Sequence, residues 1–189
     1  LKIGFFGSID YRKGADIVLD VCEDLDFIER IVFIGKLYQD SLENLQIKNR
    51  VLSSKKSSYL GVLSKMELFE SLKDVDIIFL PSRTDNMPNT LLESLSLGKI
   101  VLGPDAWGFE EILIHGINGF KMVSYDCFEL KEQFCELNQI QSDLWLQIQK
   151  NAIRTSLELD IEAKGIEIFN EFVKETKRWH DVRNNRNDR

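Results

Sequence analysis

Two carboxylates with a fixed spacing stand out as candidates for ligand binding. Asp85 and Glu93 lie within PSRTDNMPNTLLESLSLG (residues 81–98), which follows a short hydrophobic run. Asn89 is a favoured helix N-cap, and a helix starting there would direct free backbone N–H groups into the loop, where an anion can bind. Glu93, about one turn into that helix, could accept hydrogen bonds from the vicinal hydroxyls of a ribose, and Asp85 from another polyol. Together these features describe a nucleotide-sugar site.

A second candidate anion site is the first loop, GSIDYRKG (residues 7–14), between a predicted strand and a predicted helix. Its terminal glycines allow a tight turn, and Arg12 and Lys13 could neutralise a diphosphate. The loop matches neither GxGxxG nor GxxxxGK[ST], and the next strand ends in Gly35-Lys36 rather than in an acidic residue. A dinucleotide-dependent dehydrogenase is therefore disfavoured.

Both sites have simpler explanations that the spacing alone leaves open. Asp85 could cap a turn and Glu93 could be a solvated helix residue, because acidic residues are common in first helical turns. The first loop could be an ordinary strand-to-helix connection with surface cations, and spacing alone favours that explanation.

Composition limits the functional classes. Lys plus Arg number 24 and Asp plus Glu 31, which gives a net charge of −7 and argues against nucleic-acid binding. The three cysteines show no CxxC spacing and the two histidines are isolated, so we expect neither a disulfide framework nor a metal site, and no cofactor. The first residues, LKIGFFGS, are typical of a strand rather than a signal peptide. These features favour a cytoplasmic location.

Apolar runs and helical patterns alternate along the chain. The predicted strands are Lys2–Phe6, Ile31–Ile34, Arg50–Ser53, Tyr59–Val62, Asp76–Leu80, Ile100–Gly103 and Phe120–Val123. The predicted helices are Ala15–Leu25, Ser64–Leu72, Asn89–Leu97, Phe109–Ile114, Phe128–Leu137, Asp143–Ser156 and Ile161–Thr176. Strands this hydrophobic, with helices between them, predict an α/β fold: a Rossmann-like parallel sheet with helices on both faces and a helical C-terminal extension. We expect one domain over residues 1–176 and a polar, flexible tail over residues 177–189.

Six short motifs occur in an order that resembles one protein family. They are Phe6-Gly7 with Lys13-Gly14, Tyr59-Leu60-Gly61, the Asp85-x7-Glu93 spacing after Pro81-Ser82, LESLSLG (92–98), Gly108-x-x-Glu111 and GINGF (116–120). Between residue 7 and about residue 123 the chain resembles the C-terminal, donor-binding domain of GT-B retaining glycosyltransferases, the glycosyl transferases group 1 (family 4) type. The resemblance implies a donor-binding domain for a nucleotide-diphospho-sugar, with UDP- or GDP-sugars expected, and a role in polysaccharide biosynthesis.

The resemblance also implies roles for individual residues. Lys13 and Asp85 would be catalytic, Lys13 stabilising the diphosphate leaving group and Asp85 contacting the donor sugar. Glu93 would hold the ribose hydroxyls, and the base would stack near Val62. The remaining nucleotide-sugar-binding residues would be Gly7, Ser8, Arg12, Asn86, Met87, Pro88, Asn89 and Thr90.

The chain departs from the family pattern at four positions. Asp85 replaces a Glu, Trp107 replaces a Gly, and Ile100 replaces a Pro. Ser8 stands where the family often has a phosphate-binding Arg, a role that Arg12 could take over. Ser8 motivates an alternative, a non-catalytic nucleotide-sugar binding or regulatory module. An epimerase of the same architecture is disfavoured, because neither histidine lies in a matching loop.

The resemblance further implies a partner. GT-B enzymes carry the acceptor site on an N-terminal α/β domain, and residue 1 falls where the second domain would start. We therefore expect the chain to be a fragment or one subunit of a split enzyme, which binds a nucleotide-sugar but transfers it poorly or not at all alone. Any contact with the inner face of the membrane would be peripheral and made through that missing N-terminal domain.

Overall fold

A parallel sheet with helices on both faces forms the body of the protein. The computed structural model describes residues 1–85 and 89–159. The strands are β1 (Lys2–Phe6), β2 (Arg30–Ile34), β3 (Ser57–Tyr59), β4 (Ile77–Phe79), β5 (Ile100–Gly103) and β6 (Phe120–Lys121). They are parallel throughout and lie in the order β3-β2-β1-β4-β5-β6. The described helices are α1 (Ala15–Cys22), α2 (Leu42–Ser53), α3 (Lys65–Leu72), α4 (Asn89–Ser96), α5 (Cys127–Leu137) and α6 (Ser142–Glu158). The predicted Rossmann-like α/β fold is confirmed.

Alternate strand residues supply two hydrophobic clusters, one on each face of the sheet. Phe5 and Phe33 lie in the cluster that contains the buried residues of α1 and α5, with their ring centroids 5.6 Å apart. Phe6 and Ile34, the next residues along β1 and β2, lie in the other cluster, with the buried residues of α3 and α4. Strands that are hydrophobic on both faces therefore take helices on both faces, as the sequence predicted.

One predicted strand is wrong because its residues complete a helix. Arg50–Ser53 is the last turn of α2, which the sequence analysis missed. The helix begins after Ser41, whose hydroxyl accepts a hydrogen bond from the Asn44 N–H, and it buries only Ile47 and Val51. So narrow an apolar stripe leaves a weak helical period in the sequence.

Two further predicted elements differ from the structure. The strand predicted at Tyr59–Val62 lies two residues earlier in the structure, where it is β3 (Ser57–Tyr59). This strand is at the edge of the sheet and is only partly buried. The predicted helix Phe109–Ile114 is a turn in which the Phe109 carbonyl accepts from the Leu113 N–H. Phe109 and Leu113 are both buried, so a single turn produces the spacing that suggested a helix.

The chain divides into two compact units, residues 1–155 and 156–189. The sheet and every described candidate site residue belong to the first. The predicted helix Ile161–Thr176 and the predicted tail lie outside the described residues. In the part of the chain that the structure describes, no helix combines the length and the apolar character needed to cross a membrane.

Candidate functional site

The two candidate loops meet at one edge of the sheet. β1 and β4 are neighbours in the sheet, but the chain continues from β1 towards β2 and from β4 towards β5. The two connections therefore leave in opposite directions along the sheet, and the crevice beyond the carboxyl ends of β1 and β4 is the usual ligand position in an open parallel sheet. Residues 7–14 follow β1 and residues 80–88 follow β4, so both sequence-predicted anion sites lie at this crevice.

The two predicted catalytic side chains contact each other in this crevice. The Lys13 ammonium donates a hydrogen bond to Asp85 Oδ2 and forms an ion pair with it. The side chains are only 18% and 7% exposed. Asp10 is also buried, and its Oδ1 accepts from the Lys13 backbone N–H at 2.7 Å. The crevice thus places a held cation beside a carboxylate, a pair that can serve a diphosphate and a sugar hydroxyl.

Gly14 allows these two loops to approach closely. It precedes α1 with a φ of 76° and contributes no side-chain cap to that helix. A Cβ at this position would lie 2.1 Å from the Pro81 carbonyl oxygen. The other end of the loop is Gly7, with a φ of 118°, and a Cβ there would lie 3.4 Å from the Thr90 methyl group of α4. The tight turns predicted at both glycines are confirmed.

A strip of backbone connects the Lys13 loop to the predicted base site. A Cβ at Gly35, directly after β2, would lie 1.8 Å from the Gly7 carbonyl oxygen, and the Gly35 N–H donates to the Gly61 carbonyl at 2.7 Å. The Tyr59 hydroxyl donates to the Gly35 carbonyl at 3.0 Å. Val62 follows this strip and is 74% exposed. Its side chain is therefore accessible to a ligand. The close contacts of Gly35 with the Gly7 and Gly61 backbones were not predicted from the sequence.

Helix α4 carries Glu93 towards a second lysine. Glu93 Oε1 lies 3.9 Å from the Nζ of Lys65 on α3, and Lys65 is highly exposed. Asn89 is the first residue of α4 in the structure rather than its N-cap, and it is exposed, whereas Thr90 is partly buried. The predicted contacts at Asn86, Met87 and Pro88 lie outside the described residues.

Arg12, the residue before Lys13, also contacts the loop after β4. Its NH1 donates to the Thr84 carbonyl at 3.4 Å, its NH2 lies 3.7 Å from Asp10 Oδ2, and about half of its side chain is exposed. Ser8 lies in the same loop and is partly buried. Arg12 thus contacts the loop after β4, and its role as a replacement for an arginine at position 8 stays a prediction.

Arg83, for which the sequence pattern predicted no role, joins the two loops. Its guanidinium binds both carboxylate oxygens of Asp16, at 2.8 and 2.6 Å, and donates to the Tyr11 carbonyl at 2.6 Å. Partial burial opposes its charge, but the hydrogen bonds and charge of Asp16 outweigh burial and raise the pKa of Arg83. An acidic residue in the first turn of a helix is too common a feature to have identified this partner.

A second contact that was not predicted from the sequence reaches the loop after β4 from its other side. The Tyr125 hydroxyl donates to the Ser82 carbonyl at 2.6 Å and is itself hydrogen-bonded by Trp107. Burial raises the pKa of Tyr125, although the hydrogen bond from Trp107 opposes the shift. Trp107 has a φ of 60°, unusual for a residue with a side chain, and stands where the resemblance expects a glycine. The start of the loop after β4 is therefore fixed from the β6 side.

Two other kinds of reactive group are metal-binding clusters and cysteine thiols. In the described ranges, no group of three His, Cys, Asp or Glu side chains is arranged to hold a metal ion. Cys22 is buried and its pKa is raised by burial, while Cys127 and Cys135 are free thiols nearer the surface.

Comparisons with known proteins identify a family and curated relatives. The family model described as glycosyl transferases group 1 matches residues 1–139. An uncharacterized glycosyltransferase of Methanocaldococcus jannaschii is 30% identical over 133 residues, which are 70% of this chain and 37% of that protein. The N,N'-diacetylbacillosaminyl-diphospho-undecaprenol alpha-1,3-N-acetylgalactosaminyltransferase of Campylobacter jejuni is 27% identical over 65% of this chain and 33% of its own length. The chain thus spans about a third of the length of these two relatives.

Solved structures share the fold. Anabaena HepE in complex with UDP-glucose matches with a TM-score of 0.76 and 18% identity, over 92% of this chain and 48% of HepE. The C-terminal domain of LpcC, a glycosyl transferase group 1 family protein from Francisella tularensis, matches with a TM-score of 0.68 and 20% identity. That match covers 83% of this chain and 84% of the LpcC domain.

Proposed function

Because this chain belongs to the glycosyl transferases group 1 family, we propose that it is the donor-binding half of a retaining, family 4 glycosyltransferase. The reaction moves a hexosyl group from a nucleotide-diphospho-sugar to an acceptor hydroxyl. The observation that carries this proposal is the Lys13–Asp85 ion pair in the crevice between the loops after β1 and β4. A cation and a carboxylate in contact match a donor in which a diphosphate adjoins a polyhydroxylated ring.

Each described site residue has a defined part in this reaction. Lys13 stabilises the negative charge that develops on the diphosphate as the sugar–phosphate bond breaks. This is electrostatic preorganisation, since the loop contacts hold the cation before the donor arrives. Asp85 accepts a hydrogen bond from a sugar hydroxyl and fixes the ring, and Glu93 accepts from the ribose hydroxyls. The acceptor oxygen attacks from the face that the phosphate leaves, so the anomeric configuration is retained.

UDP- and GDP-sugars are the donors that we propose. HepE, whose fold this chain shares, was crystallised with UDP-glucose, which supports a uridine nucleotide. The exposed Val62 and the glycine backbone beside it offer an apolar contact and peptide groups to a base. Backbone groups of this kind discriminate bases by position rather than by side-chain type, and titration with different nucleoside diphosphates identifies the base.

An N-terminal acceptor domain completes the enzyme in this proposal. The curated relatives are about three times as long as the part that matches this chain. The C. jejuni relative is named for a diphospho-undecaprenol substrate, which supports an acceptor that belongs to envelope polysaccharide assembly. We therefore place any peripheral membrane contact on the acceptor domain. The chain alone binds donor without transferring it, so sugar transfer by the isolated chain would contradict this division of labour.

A non-catalytic nucleotide-sugar binding module is the second candidate. Ser8, in place of a phosphate-binding arginine, favours it, whereas the half-exposed guanidinium of Arg12 in the same loop offers a replacement charge for the transferase. The two candidates differ once an N-terminal domain is joined to the chain. Turnover identifies the transferase, and donor binding without turnover identifies the module.

Calorimetric titration with UDP, GDP, ADP and NAD tests donor binding directly. We expect one nucleoside diphosphate to bind and NAD to give no heat of binding. Lys13→Met should weaken that binding at least about tenfold, because a charge-assisted contact to the diphosphate is lost. Lys48→Met, on α2, is the matched control and should bind normally. A folded chain that binds none of the nucleoside diphosphates contradicts the proposed function.

A further inference from the structure

We propose that Arg83 is a positioning residue that aligns Lys13 with the donor diphosphate by fastening the loop after β1 to the loop after β4. The inference rests on the proposed function, because Lys13 is the group through which Arg83 acts. Nothing in the family resemblance or in the motif pattern assigns a role to this position. The contacts of its side chain and its backbone carry the inference.

The contacts of Arg83 surround Lys13 in the chain. The guanidinium donates to the Tyr11 carbonyl at 2.6 Å and lies 3.8 Å from the centre of the Tyr11 ring. The Arg83 backbone N–H donates to the Arg12 carbonyl at 2.9 Å. The two residues immediately before Lys13 are therefore both bonded to residue 83, which lies two residues before Asp85. Arg83 thus links the two chain segments that carry the members of the ion pair.

Asp16 anchors this fastening to the body of the protein. It lies in the first turn of α1, and both of its carboxylate oxygens accept from the Arg83 guanidinium. The buried residues of α1 pack in the core beneath the sheet, so the arginine is tied to a rigid element rather than to another loop. Only a planar guanidinium can make this paired contact and stack on Tyr11 at once, and lysine cannot reproduce both.

The Arg83 guanidinium forms its hydrogen bonds with the protein, so we do not expect it to bind a ligand directly. Both NH1 and NH2 are hydrogen-bonded to Asp16, and NH1 also reaches Tyr11. Removing the guanidinium should therefore leave the ligand's own contacts in place but allow the Lys13 loop to shift. Near-attack geometry is sensitive to displacements of about 1 Å, so a loosened loop weakens the lysine's effect on the diphosphate.

Arg83→Met tests the inference, with Arg50→Met as its matched control. Arg50 likewise bonds two carboxylates, Asp20 at 2.6 Å and Glu23 at 2.8 Å, and these bonds join α2 to α1 rather than the loop after β1 to the loop after β4. Its side chain is 39% exposed, against 28% for Arg83. We expect Arg83→Met to weaken binding of the nucleoside diphosphate about tenfold in calorimetry, and Arg50→Met to change it less than about twofold. Equal affinities for the two variants overturn the inference.

A double-mutant cycle separates positioning from a general structural effect. In a chain that already carries Lys13→Met, Arg83→Met should weaken binding little further, because the group that Arg83 positions is gone. A full additional loss in that background overturns the proposal. Asp16→Asn and Arg83→Lys, which disturb the same contact less, should give intermediate losses, so the test survives if Arg83→Met does not fold.

Amide hydrogen exchange provides a readout that needs no ligand. In the free protein, Arg83→Met should speed exchange of the peptide spanning residues 8–14, including the Lys13 N–H that donates to Asp10, more than Arg50→Met does. Unchanged exchange in this peptide overturns the positioning role. If the unmodified chain binds no nucleoside diphosphate, the proposed function fails, and hydrogen exchange still decides whether Arg83 holds the loop.

Discussion

The Lys13–Asp85 ion pair joins side chains that are 72 residues apart in sequence. A partly buried pair gains Coulombic attraction but loses hydration, so its net contribution to stability is small. Its more direct consequence is for binding. In the proposed donor site, a diphosphate approaching Lys13 would meet a cation that a carboxylate already partly neutralises, whereas a donor with its sugar would offer Asp85 hydroxyl groups in return. The pair should therefore favour the complete nucleotide-sugar over the nucleotide alone.

Asp85→Asn should reduce that preference. The substitution keeps the shape of the side chain and removes a negative charge beside Lys13, so affinity for UDP alone should rise about threefold if UDP is the nucleotide bound. The affinity for UDP-glucose relative to UDP should fall, and calorimetric titrations with both ligands measure the ratio. Asp24→Asn is the control, since Asp24 pairs with Lys131 at 2.6 Å. An unchanged ratio in Asp85→Asn contradicts a sugar-binding role for this carboxylate.

The position of α1 against the loop after β4 depends on a glycine, Gly14. Gly14 immediately precedes α1 with its backbone in the left-handed region, and the Pro81 carbonyl oxygen occupies the space that a Cβ would take. Because the contact is with backbone, no side-chain rotation can relieve a clash. The crevice between the loops after β1 and β4 therefore keeps its width only while residue 14 is glycine.

Gly14→Ala should lower the free energy of unfolding by about 3 kcal/mol, combining backbone strain with displacement of the Pro81 carbonyl. Gly116→Ala separates the two effects. Gly116 has a similar φ of 73°, but among the described residues no atom beyond its chain neighbours lies within 4 Å of the place that a Cβ would take. We expect a loss of only about 1 kcal/mol for that control. Urea unfolding of both variants measures the difference, and equal losses would contradict the close approach of the two loops.

For the molecule as a whole, the sequence predicted what hydrophobic pattern and loop chemistry determine. Strands buried on both faces, such as β1, indicated the α/β class, and the spacing of Ser64 and Glu67 as a capping box correctly predicted the start of α3. Helix α2 was missed because it buries only Ile47 and Val51. Strand β3 was predicted too late in the chain. An edge strand can be polar, and the prediction relied on the apolar residues that follow it.

Candidate site residues could be predicted from the sequence only where the residue type itself indicates a binding role. Lys13, Asp85 and Glu93 carry charge beside turn residues, and family motifs fall on them. The role of Arg83 follows instead from the sheet order, which brings the loops after β1 and β4 together. Contacts such as Arg83 with Asp16 depend on that order, which the alternation of apolar runs and helical patterns does not reveal.

The central claim is that this crevice holds a nucleoside diphosphate by its ribose and phosphates. Its most direct test combines the loss of the ribose hydroxyls from the ligand with the loss of the Glu93 carboxylate from the protein. Calorimetry would compare the nucleoside diphosphate that binds with its 2′,3′-dideoxy analogue, in the unmodified chain, in Glu93→Ala and in the control Glu70→Ala, whose carboxylate pairs with Lys73 on the surface of α3. We predict that the unmodified chain and the control prefer the ribose form about tenfold, and that Glu93→Ala binds both forms equally weakly. The same preference in all three proteins would contradict the account.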